Sequence, residues 1–293
     1  MLIDLHTHSD RSDGTDTPVQ LLAGAVAAGL DVLGVTDHDT TGGWEAVTAA
    51  RPAGLTVVLG TEFSTQVALA GRQVSVHLLG YLFDPTDPTI VAEHLRLRQA
   101  RLLRGMAIVQ RLVAAGVPIS EQQVLEIAAG APVGRPHIGR ALVAAGVVDS
   151  VTDAFATYLS GQGPYYVPKP DTDLPAAVSM IAAAGGVPVL AHPRGRGEGR
   201  VLTPDYIGTL VDLGLAGVEV DHPDHGPEVR GELRELAGRL GLVMTGSSDY
   251  HGSNKTLRLG QEHTAPEQLA ALIDRSSGVV RPLGPLARAG GGE

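Results

Sequence analysis

The chain has 293 residues and a mass of 30.3 kDa, which is enough for one large α/β domain. It contains no cysteine, so disulfides and thiolate sites are excluded and any metal must bind through nitrogen and oxygen. Its 22 basic and 32 acidic residues give a formal net charge of −10, which argues against binding to long duplex nucleic acid or to an anionic membrane. With neither a secretory signal nor a long apolar run, we expect a cytoplasmic protein.

Short β-like runs alternate with helix-like runs along most of the chain, a pattern typical of a parallel βα architecture. Seven strands are predicted, over residues 2–6, 31–37, 56–64, 74–83, 187–193, 216–222 and 242–249. Helical runs such as PVQLLAGAVAAG and EVRGELRELAGRLG fill most of the gaps between them. The pattern therefore predicts a closed or nearly closed βα barrel.

The alternation stops between about residues 100 and 165, where helical runs are separated by Gly and Pro and no convincing strand appears. We interpret residues 100–165 as a helical insertion between two barrel segments, 1–99 and 166–280, followed by a flexible tail at 281–293. The run RLRQARLLR at 96–104 places Arg101 and Arg104 on one helical face with Arg98 close to it. We interpret that run as an exposed helix at the start of the insertion.

The first predicted strand leads into DLHTHSDRSDG, which carries two histidines one residue apart. Alternate residues of a strand share a face and lie about 6.6 Å apart, so His6 and His8 can direct two imidazoles at one point. Of the eleven histidines in the chain, seven lie at or near a strand end: His6, His8, His38, His77, His192, His222 and His251. Carboxylates occur at the same places: Asp13, Asp37, Asp39, Glu62 and Asp249. The carboxyl edge of a parallel barrel is where catalytic groups gather.

Mixed imidazole and carboxylate ligands suit Zn, Mn and Fe, whereas oxygen ligands alone suit Mg or Ca. About nine candidate ligands are too many for one ion, since a catalytic zinc takes about three protein ligands. The residues therefore predict two or three metal ions. Clustered ions of this kind activate water and stabilise the oxygens of an in-line phosphoryl displacement, so hydrolysis of a phosphate ester is the expected chemistry.

Five motifs in order resemble the PHP (polymerase and histidinol phosphatase) superfamily: DLHTHSDRSDG, GVTDHDT, GTEFS with VHLLGY, LAHP and SSDYHG. They extend over residues 4–252, nearly the whole chain. The resemblance implies a distorted (β/α)7 barrel with a trinuclear metal site, in agreement with the seven predicted strands.

The resemblance also implies which residues hold the metals. One ion would be held by His6, His8, Glu62 and Asp249; a second by Glu62, His77 and His192; and a third by Asp13, His38 and His251. Asp37 and Asp39 are then candidates to orient His38, although capping of the loop explains them equally well.

Two further segments resemble the small stand-alone PHP phosphoesterases that act on nucleotides: GRPHIGRALV at 134–143 and VEVDHPDH at 218–225. In that branch a helical lid covers the metal site and helps to bind the phosphate. Arg135 and His137 could bind a phosphate and assist the leaving oxygen, and Lys169 could add a cation at the mouth of the site. Either His222 or His225 could contact substrate or protonate the leaving group, and we favour His222 because it directly follows its strand.

The resemblance implies a phosphatase for small nucleotides such as nucleoside 3′,5′-bisphosphates, with 5′-to-3′ trimming of short RNA as a further activity. We expect water to attack phosphorus directly, with no covalent phosphoenzyme. A histidinol phosphatase or another small-metabolite phosphatase is the alternative within enzymes. A non-catalytic, metal-stabilised binding module is the alternative of another class, and it predicts gaps in the ligand set that the sequence does not have.

Overall fold

The computed structural model describes residues 1–69, 71–195 and 202–285. Eight strands are described: β1 (Ile3–Asp4), β2 (Val32–Val35), β3 (Thr56–Leu69), β4 (Arg72–Tyr81), β5 (Thr172–Asp173), β6 (Val187–Ala191), β7 (Gly217–Asp221) and β8 (Val243–Gly246). The α-helices of the same ranges are α1 (Pro18–Ala27), α2 (Trp44–Ala50), α3 (Pro88–Ala114), α4 (Glu121–Ala128), α5 (Arg135–Ala144), α6 (Val151–Thr157), α7 (Leu174–Ala183), α8 (Pro204–Asp212), α9 (Pro227–Leu240) and α10 (Pro266–Asp274). All seven predicted strands are confirmed, and the short β5 is an addition.

Seven strands form one sheet in the order β1, β2, β3, β4, β6, β7, β8, with β5 paired to the outer part of β3. The sheet curves until its first and last strands nearly meet. An isolated bridge joins Thr7 to Tyr250, and the backbone N–H of His8 donates to the carbonyl of Tyr250 at 2.9 Å. The structure is therefore a nearly closed barrel, as the sequence predicts.

The barrel is not wholly parallel, because β4 runs antiparallel to both β3 and β6. The prediction of a uniformly parallel sheet is wrong at this strand. Leu69 and Arg72 are partners across a two-residue connection, which is far too short for the crossover helix that a parallel pair requires. Consequently His77, near the middle of β4, pairs with Ser64 of β3 and with Ala191 at the carboxyl end of β6, and so lies at the edge formed by the carboxyl ends of the parallel strands.

Two apolar clusters hold the barrel together. One fills its interior with strand residues such as Ile3, Val58 and Val189, and the other packs the outer strand faces against the surrounding helices. Strands buried on both faces explain the nearly continuous apolar runs in the sequence.

Residues 88–171 contain four helices and no described strand, in agreement with the predicted helical insertion. Helix α3 begins at Pro88, well before residue 100, and continues from the barrel into the insertion as 27 residues of unbroken helix. The insertion has an apolar cluster of its own, which includes Ile108, Val124 and Leu142.

The predicted tail at 281–293 is held to the barrel near its start, because Leu283 exchanges two backbone hydrogen bonds with Val57. Residues 286–293 lie outside the described part of the chain. None of the helices in the described ranges is long and apolar enough to cross a lipid bilayer.

Candidate metal centre

One edge of the barrel brings together all nine residues that the family resemblance implies as metal ligands. They come from the loop after β1, the end of β2, the strands β3 and β4, and the loops after β6 and β8. The nine are His6, His8, Asp13, His38, Glu62, His77, His192, Asp249 and His251. Residues separated by up to 245 positions in the chain thus converge in one small volume.

These side chains form overlapping groups in which the ligand atoms lie within 4.8 Å of one another. The groups are His6, His8, Glu62 and Asp249; His8, Asp13, His38 and His251; His38, Glu62 and His77; and His6, His192 and Glu219. Because the groups share members, ions bound in them would lie close together, as clustered catalytic ions do.

Glu62 lies at the centre of the cluster and is fully buried. Five imidazole nitrogens lie 2.7–3.2 Å from the two carboxylate oxygens of Glu62. They belong to His6, His8, His38, His77 and His192. The first three approach Oε2 and the last two approach Oε1. A carboxylate placed in this way can bridge two ions.

The donor set fits metal ions better than it fits a closed hydrogen-bond network. Despite these short distances, five buried atoms of this region form no hydrogen bond with the described residues: Asp13 Oδ1, His38 Nδ1, Glu62 Oε2, His77 Nδ1 and His222 Nε2. Buried polar atoms are nearly always paired in folded proteins, so a cluster of unpaired nitrogen and oxygen atoms indicates a missing charged partner. Nitrogen and oxygen donors in this mixture suit Mn, Fe or Zn.

The carboxylates of the cluster are held in the ionised form. Burial alone raises the pKa of Glu62 and Asp13, but the surrounding imidazoles outweigh it and leave each pKa well below its ordinary value. Burial also raises the pKa of Asp249, but the ammonium of Lys255 and, after it, the neighbouring imidazoles leave that pKa well below its ordinary value. Negative charge is therefore available at the edge of the barrel throughout the neutral pH range.

Two residues of this site were missed by the sequence analysis, Glu219 and Lys255. Glu219 is fully buried in β7; its carboxylate accepts from His6 Nδ1 at 3.2 Å and from the backbone N–H of His192 at 2.8 Å. A carboxylate within the otherwise apolar run AGVEV was the available signal. Nothing in the sequence distinguishes Lys255, which lies six residues after Asp249 and contacts it within the loop that follows β8.

The two histidines after β7 differ in what their rings contact. His225 Nδ1 donates to the carbonyl of Val220 at 2.9 Å and its Nε2 accepts from the backbone N–H of Arg194 at 3.3 Å, so both nitrogens are occupied. His222 Nδ1 accepts from the backbone N–H of Asp224, whereas its Nε2 lies 3.6 Å from Asp249 Oδ2. Of the two rings, only that of His222 faces the ligand cluster.

Helix α5 of the insertion begins beside the metal-ligand loop. His137 is buried, its Nδ1 accepts from the backbone N–H of Gly134 at 3.0 Å, and the ring lies close to Ser12 and to the charge of Asp13. Arg135, at the start of the same helix, donates to the carbonyl of Leu159 at 3.0 Å and lies over the ring of Phe155, 5.2 Å from its centroid. The helix thus places His137 beside the loop that carries Asp13.

The interpretation of residues 96–104 as an exposed helix is wrong for Arg101. Its guanidinium is buried, forms an ion pair with Asp39 and donates to Ser64 Oγ at 2.8 Å. Arg98 is exposed, as expected, and Arg104 is partly buried and donates to the carbonyl of Val167. The sequence could not reveal this difference because the partner of Arg101 lies 62 residues away.

Lys169 also lies inside this junction between insertion and barrel. Its side chain is 5% exposed and forms an ion pair with Asp171. Burial and the nearby guanidinium of Arg101 lower the pKa of the Lys169 ammonium.

Asp37 and Asp39 stabilise loops and do not contact His38. Asp37 accepts three hydrogen bonds, from the backbone and hydroxyl of Ser9 and from the hydroxyl of Ser12. Asp39, in the left-handed region at φ 52°, accepts from both the backbone and the hydroxyl of Ser64. The contacts agree with the loop-capping alternative.

The chain is similar in sequence to several known proteins. The PHP domain family model matches residues 4–113. A 3′,5′-nucleoside bisphosphate phosphatase from Chromobacterium violaceum is 34% identical over 85% of this chain and 87% of its own length. The chain belongs to the PHP family. The resemblance identified from the motifs is therefore confirmed.

Other relatives of this PHP protein differ in their named activities. A 5′-3′ exoribonuclease from Haemophilus influenzae is 38% identical over 88% of this chain and 93% of its own. A phosphoribosyl 1,2-cyclic phosphate 1,2-diphosphodiesterase from Eggerthella lenta is 35% identical over 86% and 95%. The PHP protein is thus a phosphoric ester hydrolase by family, and its relatives include both monoesterases and diesterases.

A solved structure supports the fold of the PHP protein over nearly its whole length. A crystal structure from Bifidobacterium adolescentis, assigned to the metal-dependent phosphoesterases, superposes with a TM-score of 0.87 at 35% identity and covers 94% of this chain and 97% of its own. The distorted barrel with a helical insertion is therefore the architecture of close structural relatives as well.

Proposed function

We propose that this PHP protein is a metal-dependent phosphatase that converts nucleoside 3′,5′-bisphosphates to 5′-mononucleotides and also trims short RNA in the 5′-to-3′ direction. The observation that carries the proposal is the complete set of overlapping ligand groups in a chain 34% identical to a bisphosphate phosphatase. The exoribonuclease relative supports the second activity. We assign the protein to the cytoplasm, where such small nucleotides are turned over.

We propose three ion sites, of which two or three are filled in the active enzyme. The first would be held by His6, His8, Glu62 and Asp249; the second by Glu62, His77 and His192; and the third by Asp13, His38 and His251, with His8 next to it. Mn is our preferred metal, with Fe and Zn as alternatives that accept the same ligands. Bound ions would activate water and neutralise charge on the phosphate.

We infer that His222 holds the proton that the leaving oxygen requires. Its Nδ1 accepts a hydrogen bond from the backbone of Asp224, so in the neutral ring the proton is on Nε2. That nitrogen has no hydrogen-bond partner among the described residues and faces the ligand cluster. A donor in this position can protonate an alkoxide as it departs.

The helical insertion is the proposed lid over the site, with its limits at 100 and 165 and the barrel segments 1–99 and 166–280 on either side. His137 has its Nδ1 occupied by Gly134 and its ring close to the backbone of Ser12, so the proposed contact with a phosphate would be made beside the Asp13 loop. Arg135, Lys169 and, more remotely, His225 complete the proposed substrate-binding set, with the two cations giving local positive charge in an acidic chain. A small dianionic substrate fits such a pocket better than a long polymer does.

The proposal is tested with the purified, Mn-reconstituted enzyme by measuring inorganic phosphate released from monoesters, 5′-mononucleotides released from RNA and the opened ester formed from the cyclic substrate. The substrates are a nucleoside 3′,5′-bisphosphate, a 5′-mononucleotide, a short 5′-phosphorylated RNA, histidinol phosphate and a phosphoribosyl 1,2-cyclic phosphate. We expect the bisphosphate and the short RNA to give the highest kcat/KM. Preference for histidinol phosphate would overturn the nucleotide assignment and keep the metal centre, and inactivity on all five would favour a non-catalytic module.

A cyclic phosphodiesterase is the second candidate function, because a relative with that named activity is 35% identical to the chain. The two candidates differ in the bond that is cleaved, so opening of the cyclic substrate without release of inorganic phosphate from the bisphosphate would favour the diesterase.

A further inference from the structure

Glu219 is a buried carboxylate to which neither the motifs nor the family resemblance gives a role. It lies in β7, between the apolar residues Val218 and Val220, and is fully excluded from solvent. Burying a carboxylate is costly unless both oxygens find partners. Here both do: Oε1 accepts from His6 Nδ1 at 3.2 Å and Oε2 accepts from the backbone N–H of His192 at 2.8 Å.

The first contact determines which nitrogen of His6 is available to an ion. Because Nδ1 carries the proton that it donates to Glu219, Nε2 of the neutral ring has a free lone pair. His6 Nε2 points into the ligand cluster, 3.0 Å from His8 Nε2 and 3.2 Å from Glu62 Oε2. Glu219 therefore selects the tautomer that can bind metal.

The second contact fixes the backbone of His192. This residue lies in the left-handed region at φ 27°, which a non-glycine residue adopts only when its surroundings hold it there. The hydrogen bond from its N–H to Glu219 is such a constraint. In this conformation His192 Nε2 lies 3.0 Å from Glu62 Oε1, and its ring stacks on His6 with the centroids 5.8 Å apart.

We propose that Glu219 is a positioning residue that links two of the ion sites. It holds His6, a ligand of the first proposed site, and His192, a ligand of the second, so loss of its carboxylate weakens binding at both sites together. Both of its oxygens are engaged by the protein, so within the group of His6, His192 and Glu219 we assign Glu219 to act through the two histidines and not as a ligand. The inference rests on the metal centre of the proposed function.

The substitution Glu219→Gln tests this because a carboxamide cannot satisfy both partners. It has one oxygen acceptor and one NH₂ donor. If the oxygen accepts from His192, the NH₂ faces His6 Nδ1 and favours the tautomer with the proton on Nε2, where a metal would bind. If the amide is reversed, the NH₂ opposes the N–H of His192. The shape is kept and only the hydrogen-bond pattern changes.

The measurement is a titration of the metal-free enzyme with Mn²⁺, with unbound Mn²⁺ followed by its EPR signal, together with the melting temperature of the metal-free protein. We expect E219Q to bind Mn²⁺ about 10- to 100-fold more weakly at two of the sites than the unchanged protein. The matched control is Asp221→Asn, which removes the same charge from the same strand but contacts Arg230 and Arg234 instead of ligands. Its Mn²⁺ binding should equal that of the unchanged protein.

Equal affinity and stoichiometry in E219Q and the unchanged protein would overturn the inference, as would weaker binding at one site alone. If the unchanged protein itself binds no Mn²⁺, the proposed metal centre fails and not merely the role of Glu219. If E219Q does not fold, a second measurement tests the proposal. ¹H–¹⁵N correlation spectra of the metal-free, unchanged protein show which imidazole nitrogen of His6 carries a proton. A proton on Nδ1 is expected, and a ring that carries its proton on Nε2 alone would contradict the proposal.

Discussion

The barrel edge and the helical insertion face each other across the candidate site, and they are built from opposite chemistry. The barrel edge contributes imidazoles and carboxylates, arranged around the fully buried Glu62. The insertion and the segment that follows it contribute the cationic side chains of Arg101, Arg135 and Lys169. The proposed function makes use of this difference: the barrel edge would bind the metal ions, and the insertion would bring Arg135 and His137 toward the phosphate.

The two regions also differ in how they are stabilised. The barrel edge depends on hydrogen bonds between loops, such as those that Asp37 accepts from Ser9 and Ser12. The insertion has its own apolar cluster and is joined to the barrel through the buried ion pair of Arg101 with Asp39. We therefore expect variants at the barrel edge to lose activity and variants at the junction with the insertion to lose stability.

The largest effect is expected from Asp249→Asn, which removes a charged ligand at the barrel edge. Its Oδ1 lies 3.4–3.6 Å from nitrogens of His6, His8 and His251, so the neutral side chain weakens attraction for a cation shared with all three. We expect kcat/KM to fall by at least about 10²- to 10³-fold, as when a charge-stabilising group is lost from an active site. Phosphate release from the bisphosphate measures it.

The control for this variant is Glu262→Gln, which removes a carboxylate that pairs with Arg230 away from the ligand cluster. Unchanged activity in D249N would contradict the assignment of Asp249, whereas equal losses in both variants would indicate a general effect of charge.

The next largest effect is expected on stability, from Arg101→Met in the junction with the insertion. This change leaves the buried Asp39 without its guanidinium partner, and removal of one member of a buried ion pair costs about 3–5 kcal/mol. The free energy of unfolding in urea measures it. Arg98→Met is the matched control on the same helix; because Arg98 is exposed, its cost should remain within about 0.5 kcal/mol. Similar values for the two variants would show that Arg101 does not anchor the insertion.

A smaller effect, confined to turnover, is expected from His222→Gln. The variant removes the unpaired Nε2 that faces Asp249, and loss of a general acid typically costs about 10²-fold or more in rate. We expect kcat to fall with little change in KM and in the number of bound ions. The loss should be smallest for substrates with good leaving groups such as p-nitrophenyl phosphate. An equal loss for good and poor leaving groups would contradict a role as proton donor.

The smallest effect is expected from His94→Phe, which concerns acid stability. His94 is buried on α3 and stacks on Phe63, and burial lowers its pKa to about 4. Its unfolded pKa is about 6.5, so the folded protein binds fewer protons and loses stability as pH falls from about 6.5 to about 4. At pH 5 that loss is about 2 kcal/mol.

Lowering the pH from 7 to 5 should reduce the free energy of unfolding of both proteins. We expect the reduction in H94F to be about 2 kcal/mol smaller than the reduction in the unchanged protein. Urea titrations of each protein at the two pH values measure this difference. An effect of the substitution on packing is the same at both pH values, so it cancels. His263→Phe, at an exposed position, should leave the pH dependence as it is. If H94F behaves like the unchanged protein, the acid sensitivity comes from other groups.

The strand pattern was predictable from the sequence because it depends on local signals, and the candidate ligand set was predictable because ordered motifs in the chain resemble those of the PHP family. Apolar runs mark the strands, and a strand such as that before His6 and His8 orients its neighbours by its own geometry. The direction of β4 was predictable only from the length of its connection to β3, which the apolar pattern does not report. The antiparallel direction of β4 matters because this strand brings His77 to the barrel edge while running opposite to its neighbours β3 and β6.

Other features were decided by the tertiary structure alone. Arg98 and Arg101 are three positions apart and alike in sequence, yet one is exposed and the other is buried against Asp39. Glu219 has its role only because His6 and His192 converge on it from positions 213 and 27 residues away. The sequence by itself determined the barrel, the family and the nine candidate ligands, since these follow from local periodicity and ordered motifs. Which polar groups pair across the fold was decided by tertiary structure, because the partner of a buried charge is set by distance in space and leaves no local pattern in the chain.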